Sequence, residues 1–153
     1  MEITPNSIAI LWPTFALVLL IFVVWATMGF QRMAHVRDHP PTRSDIADRA
    51  GWEAYFRPVE RPAANLANLF EMPVLFLVLV PLLIVMRQAS HAQILLAWIF
   101  VALRAAHSLV HVRRGSVRVR FYLYVASCVI LSAMWIGFAV DVVAMAQAVR
   151  ATL

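Results

Sequence analysis

Four apolar stretches, each about as long as a bilayer is thick, restrict this chain to one kind of fold. A hydrocarbon core about 30 Å across takes about 20 helical residues to cross. Residues 8–30 carry no charge, and residues 63–86 carry only Glu71. The third stretch, 91–111, is interrupted by Arg104, and the fourth, 119–145, contains the charge-free run 121–140. Lipid offers the backbone no hydrogen bonds, so each stretch must satisfy its own as a helix. The expected fold is all-α: a single domain over 1–153, an integral membrane four-helix bundle with residues 31–62 joining the first two spans. Ionisable side chains are costly in lipid, so the few polar residues inside the spans are where function is to be sought.

Composition agrees. Hydrophobic residues make up 63% of the chain and charged ones 14%, against about 25% charged in a soluble domain. At 153 residues there is no room for a soluble domain beside four spans. The first stretch is expected to stay as a span rather than act as a secretory leader. Glu2 precedes it without a basic residue, its apolar run is long, and no small-residue cleavage site follows. The lone cysteine, Cys128, can form no intrachain disulfide and is expected to pack as a small apolar residue.

The basic balance is thirteen arginines and no lysine, for a net charge of +5. Its distribution argues against nucleic acid as a partner. Arg32, Arg37, Arg43, Arg49, Arg57 and Arg61 fall between the first two spans, interleaved with Asp38, Asp45, Asp48, Glu53 and Glu60. Arg104, Arg113, Arg114, Arg118 and Arg120 cluster around the turn between spans three and four. Only Arg87 and Arg150 lie elsewhere. Eleven arginines against two puts both long polar connections in the cytoplasm and both termini outside. Trp12 and Trp135 suit the interfaces, and Pro13, Pro73 and Pro81 are of the kind that spans tolerate. Pro73 is expected to kink the second span one turn after Glu71, and residues 43–56 to form a short amphipathic helix at the membrane surface. No repeat, glycine-rich phosphate loop or metal-ligand cluster is visible. His107 and His111 share a helix face, which suits an interfacial pair or a zinc site; the expectation is no metal.

Polar chemistry gathers at the cytoplasmic ends of the spans. Arg61, Asn65, Asn68 and Glu71 follow one another at spacings of four, three and three, a stripe down one helix face. Glu71, two to three turns into the apolar region, is expected to face the bundle interior and pair with Arg104, with His107 one turn beyond. Arg120 and Tyr124 stack on one face of the fourth span, as do Arg118 and Tyr122. Arg113 and Arg114 read as a solvated turn. A register-fixing salt bridge, positive-inside anchors and an aromatic belt are the plainer readings of these groups. Against them stands convergence: Asn68, Glu71, Arg104 and Arg120 are expected at one depth on three helices, a pocket suited to an anionic, partly polar ligand.

At these residues the sequence resembles the MAPEG proteins, membrane-associated proteins of eicosanoid and glutathione metabolism. The resemblance rests on Gly29-x2-Arg32, Glu60-Arg61-x6-Asn68-x2-Glu71, Arg104-x2-His107 and Arg120-x3-Tyr124, and covers most of the chain. It implies a homotrimer of four-helix protomers with glutathione as cosubstrate, bound between subunits near the cytoplasmic face. Arg120 would then be the catalytic arginine that stabilises the glutathione thiolate. Arg32 would meet a terminal carboxylate, Asn68 and Glu71 the polar groups of the tripeptide, and Tyr124 would pack against it; Arg104 and His107 complete the expected binding set. Some positions depart from glutathione-using members: Ala64, Leu66 and Ala67 replace basic or histidine residues, Phe121 a serine, His111 a tyrosine and Ser116 a basic residue. Two classes of function stand. One is a transferase or peroxidase acting on a lipophilic electrophile that arrives through membrane lipid. The other is a non-catalytic member that binds lipid or a partner protein, its polar cluster serving as trimer contacts. A transporter fits less well, since the polar stripe is confined to one leaflet. The all-arginine, alanine-rich composition points to a bacterial inner membrane, although an endoplasmic reticulum protein would carry the same charge pattern.

Overall fold

Both breaks inside the membrane-spanning segments fall three residues before a proline. A proline ring has no N–H to donate and clashes with the carbonyl four residues earlier. Pro13 and Pro73 therefore disrupt the helix around Ile10 and Phe70–Glu71, each settling into the first turns of the helix that restarts. The computed structural model describes residues 4–113 and 115–152. Its helices are α1 (Pro5–Ala9), α2 (Leu11–Asp38), α3 (Arg49–Phe56), α4 (Arg61–Leu69), α5 (Met72–Val85), α6 (His91–Val112) and α7 (Val117–Ala151), with a 3-10 turn at Arg57–Val59. Among the described residues four segments are long and apolar enough to cross a membrane: Pro5–Asp38, Arg61–Val85, His91–Val112 and Val117–Ala151. The chain is an integral membrane protein, all-helical as the sequence implied. The kink expected one turn past Glu71 falls on Glu71 itself, because a proline disturbs the turn before it rather than the turn after.

Several helices outrun the lipid. α7 has 35 residues, a length of about 52 Å at about 1.5 Å per residue. α2 continues to Asp38, eight residues past the apolar run. There α3 folds back on it. His35 Nε2 lies 3.0 Å from the Tyr55 carbonyl, the Tyr55 hydroxyl donates to the His39 carbonyl, and Phe56 is buried beneath the Arg32 guanidinium. The amphipathic helix expected over 43–56 occupies only Arg49–Phe56. Asp48 caps it by accepting from the Gly51 amide at 2.7 Å, while Thr42 and Asp45 bind each other in a separate turn.

Two tight turns set the register of the last three spans. After α5 the Gln88 amide reaches the Leu83 carbonyl at 2.8 Å, with Arg87 left-handed at φ 58° where glycine is usual. Ser90 then caps α6 by accepting from the Gln93 amide at 3.2 Å. Between α6 and α7 the Gly115 amide donates to the Val110 carbonyl at 2.9 Å. A Cβ on Gly115 would stand 2.7 Å from Val110 Cγ1 and 3.1 Å from Val110 O. Gly115→Ala is expected to lower thermal stability in detergent by about 1–3 kcal/mol, since a stiff β-branched side chain and a main-chain atom must both give way. Gly29→Ala is the control: nothing lies within 4 Å of that site, and mid-helix alanine gains up to about 1 kcal/mol over glycine. Arg114, assigned from sequence to this turn, lies outside the described residues.

The apolar core occupies the half of the bundle away from the arginine-rich connections. Leu17 of α2, Phe76, Leu79 and Leu83 of α5, Ala97 and Phe100 of α6 and Leu131 and Met134 of α7 are all at most 1% exposed. Phe76 and Phe100 stack with centroids 5.0 Å apart. Toward the arginine-rich end of the bundle α6 is inside out relative to a soluble helix. Its buried stripe continues as Arg104, His107, Ser108 and His111, while Leu95, Trp98 and Leu109 face outward, because the outer solvent is hydrocarbon.

Candidate functional site

The break at Phe70–Glu71 builds the site. In an unbroken helix the Asn68 carbonyl would accept from the Met72 amide; the interruption removes that donor and leaves a buried carbonyl unserved. Arg104 replaces it, with Nη2 donating to Asn68 O at 2.7 Å. The guanidinium is fully buried at the C-terminal end of α4, where the helix dipole favours a cation. It also lies over the Tyr124 ring, 5.6 Å from the centroid. Arg104 thus joins α4, α6 and α7 at one level.

The ion pair expected between Arg104 and Glu71 does not form within the protomer. Glu71 sits at the joint between α4 and α5 with a non-helical backbone, φ −91° and ψ −105°, and its side chain is exposed on the outer face. Helical spacing had placed it in line with Asn65 and Asn68, and the proline break turns it off that line. Among the described residues the salt bridges are Arg32–Glu60, Arg37–Asp38 and Arg49–Glu53, all at the C-terminal end of α2 or in the following connection.

Asn68, His107, Arg120 and Tyr124 do come together. With Val117 and Phe121 they line a cleft of about 260 Å³ between α4, α6 and the first turns of α7. His107 Nδ1 lies 3.0 Å from the Arg120 carbonyl and donates to it, tying α6 to the residue that carries the free guanidinium. Tyr124 is shared with a second cleft of about 410 Å³ that runs along α7 past Val125, Cys128, Val129, Ser132, Ala133 and Ile136. Cys128, expected to be packing alone, is half-buried in that wall. Polar mouth and apolar trough therefore meet at one tyrosine.

Two expected members stand apart. Arg32 is held in the connection, 3.9 Å from Glu60 and 4.8 Å from the centre of the Phe56 ring, and lines neither cleft. Arg104 is close but wholly covered, so it supports the cleft wall rather than facing a ligand. Ser108 was missed, and Asn65 was placed on the polar stripe without a role. Both are buried and bonded to each other, Ser108 Oγ donating to Asn65 Oδ1 at 3.3 Å. The signal was present in the sequence, Asn65 lying one turn from Arg61 and Ser108 one turn from Arg104, and only the facing of α4 on α6 gives it meaning. Asn65 Nδ2, Arg104 Nε and Nη1, His107 Nε2 and His111 Nδ1 are buried with no protein partner, so the cleft is backed by polar rather than apolar packing. His107 and His111 meet edge to face at 5.8 Å. Among the described residues no group of three histidine, cysteine or carboxylate side chains converges as a metal site.

A helical membrane protein with an arginine-bearing cleft at one end of its bundle and an apolar trough leading from it is the class that fold and site define. Residues 10–140 match the MAPEG family, and the chain belongs to it. No curated protein and no solved structure is significantly similar to the chain.

Proposed function

We propose that the protein is a glutathione-dependent membrane enzyme, a transferase or peroxidase, that delivers a glutathione thiolate to a lipophilic electrophile. The observation that carries this reading is the junction at Tyr124 of the polar cleft holding Arg120 with the apolar trough along α7. A thiol with a pKa of about 8.5 is a nucleophile only as thiolate. The Arg120 guanidinium stabilises that anion and stays protonated itself. The S–H proton leaves toward the cytoplasmic mouth and the electron pair stays on sulfur. In transfer, that pair forms the new S–C bond while the electrophile's leaving group or ring oxygen accepts the displaced pair. Asn68 and Tyr124 hold the tripeptide, and the electrophile enters the trough from lipid.

At about 260 Å³ the cleft of one protomer is smaller than the roughly 300–1,000 Å³ of a closed small-molecule site. The rest of the wall, with Arg32 and Glu71, is assigned to neighbouring subunits of a homotrimer. Exposure of the Glu71 carboxylate within an apolar segment supports a neighbour's covering it. Glu71→Ala is accordingly expected to weaken trimer association by about 3 kcal/mol or more, read as a lower detergent midpoint for dissociation; an unchanged midpoint removes Glu71 from the interface. Both arginine-rich connections are assigned to the cytoplasmic side from the arginine distribution, and the membrane to a bacterial inner membrane from the all-arginine, alanine-rich composition.

Glutathione binding to the purified protein by calorimetry tests the reading. Micromolar-to-millimolar affinity is expected in the wild type, with loss of thiolate absorbance in Arg120→Ala. No binding to well-folded protein would overturn it and leave the family's non-catalytic role.

A further inference from the structure

We propose that His107 is the positioning residue for Arg120, a strut that fixes the first turns of α7 and so the direction of the guanidinium, rather than a contact to the ligand. The proposal rests on Arg120 being the thiolate-stabilising cation. His107 is 3% exposed. Its Nδ1 is committed to the Arg120 carbonyl at 3.0 Å, and its Nε2 is buried without a protein partner. With Nδ1 committed and the residue almost wholly covered, little of His107 is open to a ligand in the cleft it helps to line.

The start of α7 needs such a tie. Ser116 precedes the helix but its side chain makes no capping bond, and Val117, Arg118 and Val119 are exposed. The Arg120 amide reaches Ser116 O at 3.1 Å, a bond within the helix's own first turn, whereas the bond from His107 comes from α6. A carbonyl oxygen has two lone pairs, so the imidazole N–H is accepted in addition to the helical bond from Tyr124. The bond requires the Nδ1–H tautomer. It also explains why histidine serves here: a planar donor at ring distance reaches from α6 across to α7, and the other ring nitrogen stays buried.

Three readouts test the strut in the intact protein in lipid. Imidazole nitrogen NMR of the wild type should show His107 protonated at Nδ1 and bare at Nε2; the reverse tautomer overturns the proposal without any substitution. His107→Leu should speed amide exchange at Arg120–Tyr124 about tenfold, with the apolar core unchanged, and His107→Asn, which keeps a donor near Nδ1, should restore protection. Glutathione should still bind His107→Leu within about threefold, while the pH midpoint of its bound thiolate rises by about one unit. Wild-type exchange in His107→Leu, or failure of His107→Asn to differ from it, overturns the strut. A wild type that binds no glutathione defeats the functional reading alone, because tautomer and exchange still decide whether His107 holds Arg120.

Discussion

Arg104→Ala is expected to destabilise the bundle by about 3–5 kcal/mol, the largest stability loss of any polar substitution in the chain. Three costs combine. The charged hydrogen bond to Asn68 O at 2.7 Å is worth about 1.5–3 kcal/mol. The carbonyl it leaves is buried by the proline break and has no amide to return to. A fully buried long side chain is also deleted, which opens a cavity beside Tyr124. Arg104→Met should cost about half as much, since it fills the space and removes a buried charge that no carboxylate accompanies within the protomer. The decisive experiment is a double-mutant cycle with Pro73→Ala. That substitution restores a backbone N–H at position 73 and lets the helix run on, which returns the Met72 amide to the Asn68 carbonyl. Arg104→Met should then cost at least about 1 kcal/mol less in that background. Additive effects would show that Arg104 does not cap the broken helix.

Arg120→Ala is expected to lower kcat/KM for glutathione conjugation by about 10²–10³, the range seen when one preorganised charge-stabilising donor is removed from an active site. Arg120 is half-buried in the cleft wall, bounded by Phe121 and Val117, where a cation acts on a neighbouring anion more strongly than in water. The pH profile should carry the mark of this. A thiolate stabilised by Arg120 has a depressed pKa, so activity is full above that value and is lost as pH falls through it. In Arg120→Ala the acidic limb should move upward toward about 8.5, the value of an unassisted thiol. Arg120→Lys should fall between, since an ammonium supplies the charge without the planar fork. An unshifted limb in Arg120→Ala would remove Arg120 from the chemistry.

The residues at which expectation and structure part are instructive. Spacing grouped Asn68, Glu71, Arg104 and Arg120, and the family resemblance added His107 and Tyr124; of these Asn68, His107, Arg120 and Tyr124 line one cleft, where α4, α6 and α7 meet with regular helical periodicity. Glu71 was assigned to the same face on the same grounds, and failed because Pro73 interrupts the periodicity between Asn68 and Glu71. Arg32 was grouped with the site, but α3 folds back and holds it through Phe56 and Glu60. That is a contact between residues far apart in sequence, and local pattern carries no information about it.

The sequence by itself determined the all-helical fold, the membrane as solvent and the location of the polar chemistry. Hydrophobic length and arginine placement are properties of composition along the chain, and lipid permits few structures that satisfy them. Tertiary structure alone decided which polar groups meet. A buried carbonyl freed by Pro73 took Arg104 away from the expected carboxylate, and a carbonyl at Arg120 took His107. Such choices depend on which backbone acceptors lie unserved when the helices pack, because in a water-free interior each must find a partner across space rather than along the chain.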